Sequence, residues 1–236
     1  MMLKLGYIGL TIAVCVLLIQ FGFTAIDKGF DTSKRKRKKT QLVVGIILWQ
    51  IYLILVGSSD FIQSYSFPPR FALTMIIPAF IFTGVFVYHN RNEKWLLHLP
   101  TRSIFYFQSF RILVESLFVA SVSAGILHKE ASIEGYNYDM VYAITVPIVG
   151  LIAFSGKSTN LKLVKLWNYL GLLVLATVIF VFMTSVYKPD LYGANEPLLP
   201  LVAMTYPYML VAGSLMPVAV FMHVLSIAQL NKLTRK

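Results

Sequence analysis

Apolar residues in this chain run on instead of alternating. Seven stretches are long and almost free of charge, at roughly 5–26, 41–60, 71–89, 103–127, 139–156, 166–187 and 199–228. Short segments rich in charge, proline and glycine separate them. A helix needs about 20 mostly apolar residues to cross a bilayer. A membrane barrel strand is shorter and alternates lipid-facing with lumen-facing residues, a period these runs lack. The pattern therefore predicts an all-α polytopic membrane protein, one membrane domain over residues 1–236 with seven transmembrane helices. The first run exceeds the 7–15 apolar residues of a secretory signal, and its basic cluster follows it instead of preceding it, so it reads as a retained span.

Composition agrees. The chain is 57% hydrophobic and 13% charged, with a mean hydropathy of +0.71, against about 45–50% apolar and 25% charged for a soluble domain. A single cysteine, Cys15, rules out an intramolecular disulfide. No CxxC, HExxH, GxxxxGK[ST] or GxSxG motif occurs, so no catalytic chemistry, cofactor or metal site is indicated.

The net charge of +11 would suggest nucleic acid in a soluble chain. Its distribution points elsewhere. Lys28 and the cluster "SKRKRKK" (33–39) fall in the first connection, residues 27–40. Arg91, Lys94 and Arg102 fall in the third, Lys157, Lys162 and Lys165 in the fifth, and Lys232, Arg235 and Lys236 in the tail. The alternate connections hold only Lys4, Arg70, Lys129 and Lys188. The positive-inside rule then places the N-terminus outside and the C-terminus in the cytoplasm. It makes 27–40 a basic cytoplasmic loop whose 33–39 cluster touches anionic lipid, not nucleic acid.

Against this pattern, "FQSFRILVES" (107–116) stands out. Gln108, Arg111 and Glu115 sit at i, i+3 and i+7, on one helical stripe. Arg111 and Glu115 fall about 12–20 Å along the fourth helix from Ser103, near the bilayer middle. A charge there costs at least about 2.5–3.5 kcal/mol, so these residues face protein or a wet cavity. Arg111 and Glu115 are also four apart, close enough to pair with each other. Two readings follow: a structural ion pair, or a binding site in which Arg111 takes an anion and Glu115 a proton or cation. Gln50, His223 and Asn168 are further polar residues within spans, and Arg70, in the stiff turn "SYSFPPRF", is the candidate for acids outside. The candidate ligand-binding set is Gln108, Arg111, Glu115, His223, Gln50 and Arg70.

Pro78, Pro147, Pro207 and Pro217 are expected to interrupt their helices. Ser116, Ala120 and Ala124 form a small-residue stripe that predicts close helix approach and a central place for the fourth helix. The acids of "KEASIEGYNYD", Glu130, Glu134 and Asp139, are expected on the outer face beside Asn137.

The segments "QSFRILVE", "EGYNYDMVYAITVP", "LWNYLGLLVL" and "MPVAVFMHVLSIAQL" together resemble a group of bacterial seven-helix inner-membrane proteins with no assigned activity. The resemblance covers roughly residues 68–230 and implies a bacterial cytoplasmic membrane. A retinal protein is excluded in its usual form, because residues 199–229 hold no lysine, and no Pro-Gln pair of a sugar permease occurs. Three roles stay open: a small-molecule transporter or sensor using the polar site on the fourth helix; a structural or assembly subunit of a membrane complex; and an intramembrane lipid-modifying enzyme using Glu115 with His223 or Asp139.

Overall fold

The computed structural model describes residues 1–156 and 158–234. Lys157, Arg235 and Lys236, counted above among the basic residues, lie outside the described residues. All regular structure within them is helical. The α-helices are α1 (Met2–Gly29), α2 (Thr32–Gly57), α3 (Ile77–Asn90), α4 (Thr101–Phe107), α5 (Phe110–Ser123), α6 (Asp139–Phe154), α7 (Leu161–Tyr187) and α8 (Met216–Thr234).

Six helical segments are long and apolar enough to cross a membrane: Met2–Gly29, Thr32–Gly57, Ala72–Asn90, Thr101–Ser123, Leu161–Tyr187 and Val211–Thr234. The exception is α6. Its 16 residues span about 24 Å at 1.5 Å per residue, less than the roughly 30 Å hydrocarbon core. Its first residue, Asp139, is buried, and so are Ala131, Ser132 and Asn137 in the loop before it. Loop 128–138 therefore folds into the bundle above α6. Irregular backbone is tolerated at that depth where protein surrounds it.

The "SKRKRKK" cluster is not a loop. Only Phe30 and Asp31 separate α1 from α2, and the cluster forms the first two turns of α2. Lysine and arginine are good helix formers, and their charges are answered locally. Lys39 pairs with Asp27 at 2.7 Å, Arg35 donates to the Phe30 carbonyl at 2.8 Å, and Lys38 lies over the Phe30 ring.

The fourth apolar run is one span in two pieces. At Gln108–Ser109 the helix tightens: the amides of Gln108, Ser109, Arg111 and Ile112 each bond a carbonyl three residues back. The buried side of α5 is Phe110, Arg111, Val114, Glu115, Phe118 and Ser121. Ser116, Ala120 and Ala124 are exposed on the opposite side, so the small-residue stripe makes no close helix contact. The centre is held by α8, the most buried span, with α7, α3 and α4 packed around it.

Two proline sites share a solution. Pro78 and Pro217 each follow a wide turn with five-residue bond spacing, Ala72–Ile76 and Val211–Leu215. In an α-helix, the carbonyls left without a donor by these prolines are those of Thr74 and Gly213. Tyr52 Oη donates to the Thr74 carbonyl and Trp49 Nε1 to the Gly213 carbonyl, both at 2.9 Å. The two aromatic rings stack, 5.2 Å apart, on one face of α2. Pro207 does not interrupt a helix; it lies in the connection before residues 211–215.

Candidate functional site

The site is assembled from three distant parts of the chain. Arg111, on the first turn of α5, is 2% exposed. Its Nε and Nη2 grip the two oxygens of Asp139 at the start of α6. Its Nη1 meets His223 Nε2 of α8 at 2.9 Å, and its guanidinium lies 4.8 Å from the Tyr142 ring centre.

Chemistry fixes the proton positions. Guanidinium nitrogens only donate, so His223 Nε2 accepts. The imidazole is then neutral, with its proton on Nδ1, which donates to Asn168 Oδ1 at 2.9 Å. Asn168 Nδ2 donates in turn to the Val164 carbonyl at 2.7 Å. The His223 ring also needs room: a β-carbon on Gly171 of α7 would collide with it and with the Tyr142 hydroxyl.

Glu115 stands one turn above Arg111 but does not pair with it. The expected i, i+4 ion pair is replaced, because Asp139 offers Arg111 a two-pronged geometry that an i, i+4 neighbour cannot match. Glu115 instead accepts from Asn137 Nδ2, at 3.2 and 3.1 Å to its two oxygens. Asn137 also donates to the Ala131 carbonyl and accepts from the Asp139 amide. The inserted loop thus delivers both Asn137 and Asp139. Neither presents an acid or amide to the outer surface, contrary to the sequence expectation.

The remaining sequence candidates separate. Gln108 is buried on the same stripe and bonds the Ala219 carbonyl at 3.1 Å, while its Oε1 has no partner. Gln50 bonds Ser214 Oγ at 3.0 Å between α2 and the 211–215 turn, away from Arg111. Arg70 is exposed over the Phe61 ring and does not reach the cluster. Of the six, Arg111, Glu115 and His223 belong to one buried network, and Gln108 flanks it. Asn137, Asn168 and Tyr142 complete the network. Only the neighbouring charge at Asp139 and the place of Asn168 near the cytoplasmic start of its span signalled any of this.

An elongated cavity of about 110 Å³ opens over the network. Arg111, Glu115 and Asp139 line it, with Tyr7 and Tyr208 close by, and the other walls are apolar, including Phe118, Val178, Phe182 and Leu215. Along α7 the lining runs from Leu175 to Tyr187, about 18 Å at 1.5 Å per residue. At one end are Arg111 and Ala219; at the other are Pro69 and Leu199, in the connections remote from the basic cluster. Toward the basic end, Trp167 stacks on Tyr142 with ring centres 4.6 Å apart and meets Phe105 at a tilt, 4.4 Å apart, and the three rings close the bundle.

Among the described residues no group of three or more His, Cys, Asp or Glu is placed to hold a metal ion. Comparison with protein-family models, with curated proteins and with solved structures finds no match for this chain.

Proposed function

We propose that this chain is a seven-span protein of a bacterial cytoplasmic membrane that binds a small molecule in the slot above Arg111, acting as a transporter or a sensor. The observation that carries this reading is the pairing of an apolar slot with an oriented, hydrogen-bonded charged network in its wall. Pockets of this kind, apolar with a few oriented polar groups, are what small-molecule sites look like. A network serving stability alone needs no space beside it. Buried charges within spans also mark ligand or ion pathways more often than they mark scaffolding.

Orientation follows from charge. The basic residues of the α1–α2 turn, of 91–102 and of Lys162 and Lys165 gather at one end, which the positive-inside rule makes cytoplasmic. The slot then faces outward. The seventh crossing is α6 together with its inserted loop. The two basic turns of α2 lie at the inner surface, where each cation gains about 1 kcal/mol from anionic lipid. The resemblance to bacterial inner-membrane proteins supports the same placement.

The test is a thermal-shift screen of purified protein against metabolites, beside a slot-filling variant, Val178→Trp. A compound that raises the Tm of the wild type by several degrees and leaves the folded variant unmoved has its site in the slot. Hits that shift both proteins equally overturn the reading. Uptake by proteoliposomes then separates transport from sensing.

A further inference from the structure

We infer that the slot recognises a slender apolar molecule carrying a cationic ammonium group, held by Glu115. This inference rests on the slot being a binding site and adds the chemistry of what enters it.

The argument is a count of charges and donors. Two carboxylates and one guanidinium meet the slot, and the imidazole behind them is neutral by its hydrogen bonds. Arg111 is already committed: Nε and Nη2 to Asp139, Nη1 to His223. Both oxygens of Asp139 are occupied by that grip. Three of the five guanidinium N–H groups are engaged, and Asp139 already answers the Arg111 charge, so an anionic ligand would meet a paired cation with a second, unpaired carboxylate beside it.

Glu115 is in the opposite condition. It is 2% exposed, and its two oxygens share one amide nitrogen, that of Asn137. A carboxylate offers about four acceptor sites. Among the described residues no cation lies within 4.0 Å of it. The slot beside it supplies no second donor with a charge, since its other polar lining groups near Glu115 are the Tyr7 and Tyr208 phenols. Tyr7 is already engaged with Ser121 at 2.7 Å. The empty valence in the wall is a buried carboxylate's, and an ammonium fills it with a charge-assisted bond while balancing the second acid.

The walls set the rest of the molecule. About 110 Å³ is comparable with the roughly 150 Å³ apolar cavity that accommodates benzene. Stretched over about 18 Å, that volume fits a narrow chain. Tyr7 and Tyr208, edge to face at 5.4 Å, line the same slot as Glu115, and aromatic rings beside a carboxylate suit an ammonium.

The experiment uses three slender probes with one skeleton: hexylamine, 1-hexanol and hexanoate. Binding to the full chain in lipid nanodiscs is measured by calorimetry. The amine is expected to bind at least tenfold tighter than the alcohol, and the acid weakest of all. Glu115→Gln, whose amide oxygen still accepts from Asn137, is expected to lower the affinity of the amine at least tenfold and to leave that of the alcohol within threefold. Should that variant fail to fold, Glu115→Asp and the wild-type ranking of the three probes decide. Equal binding of amine and alcohol, or tightest binding of the acid, overturns the ammonium reading while leaving the slot intact as a site. If no probe binds the wild type, or if Val178→Trp binds all three as the wild type does, the slot itself is not a site and the proposed function falls with it.

Discussion

Arg111 and Asp139 lie 28 positions apart and meet through two parallel contacts inside an apolar bundle. Each is nearly dry, and each would be costly there alone. The pair ties the tightened turn of the fourth span to the start of a helix too short to cross a bilayer, and so fixes how deep the inserted loop can sit. A buried pair of this kind contributes little net stability compared with apolar residues of the same shape, but removing one member leaves an unanswered charge.

Arg111→Leu and Asp139→Asn are each expected to destabilise the protein by about 3–5 kcal/mol. The double variant Arg111→Leu/Asp139→Asn is expected to lose less than the sum of the two. Reversible unfolding in mixed micelles, read by tryptophan fluorescence, gives the three values. A double variant that loses the full sum would show the charges to be uncoupled.

Gly171 and Gly84 make a matched comparison. A methyl group at Gly171 runs into the His223 ring and the Tyr142 hydroxyl, whereas one at Gly84 meets nothing within 4 Å. Gly171→Ala is expected to cost about 1–3 kcal/mol through overpacking. Gly84→Ala is expected to be neutral or to stabilise by up to about 1 kcal/mol, the helix-propensity gain. Melting temperatures of the two variants, measured side by side, check the contrast.

His128 gives the inserted loop a pH response. Its Nδ1 faces Glu130 at 3.2 Å, and its Nε2 is buried without a partner. A carboxylate only accepts, so Nδ1 carries the proton, and a second proton on Nε2 would have no acceptor. Burial holds the imidazole below the ordinary histidine value, with Glu130 pulling partly the other way. The folded state thus binds a proton less readily than the unfolded chain. Stability from this group is present above about 6.5, the unfolded value, and is lost as pH falls below it. The Tm is expected to drop between pH 7 and pH 5, and His128→Asn to flatten that slope. An identical slope in the variant would assign the drop to other groups.

Trp49 and Pro217 are expected to be coupled. Trp49→Phe strips the Gly213 carbonyl of its donor and costs about 1–3 kcal/mol. In a Pro217→Ala background the new amide can serve that carbonyl, and the cost of Trp49→Phe should shrink by at least half. A double-mutant cycle on Tm measures the coupling; additive losses would show that the indole bond does not answer the proline.

Six of the seven apolar spans and the burial of Arg111 and Glu115 were legible because depth is encoded in plain length: about 20 apolar residues set a helix, and a charge about ten residues in is at mid-membrane. The partners were not legible. Asp139 reads as a loop acid next to a span, because nothing local says that loop 128–138 turns inward; that depends on the shortness of α6 and on the guanidinium waiting below it. Ser116, Ala120 and Ala124 have the spacing of a contact stripe, yet the charged stripe on the other side of α5 takes the interior, since burying polar groups against protein outweighs close packing of small ones. The helical state of "SKRKRKK" was hidden by its charge, which suits a surface loop equally well until Asp27 and the Phe30 carbonyl supply its partners.

The stacked rings of Trp49 and Tyr52 have a mechanical consequence. The two wide turns they bond, 72–76 and 211–215, both contribute walls to the slot, through Ala72 and Ile76 on one side and Val211 and Leu215 on the other. Since one aromatic pair on a single rigid helix holds both turns, the walls are splinted to each other. They can part at this splint only by tearing one of its two hydrogen bonds or by deforming the second helix between Trp49 and Tyr52. On the proposed binding role, a ligand would then thread lengthwise, past Pro69 and Tyr187, like a key into a barrel whose sides do not give.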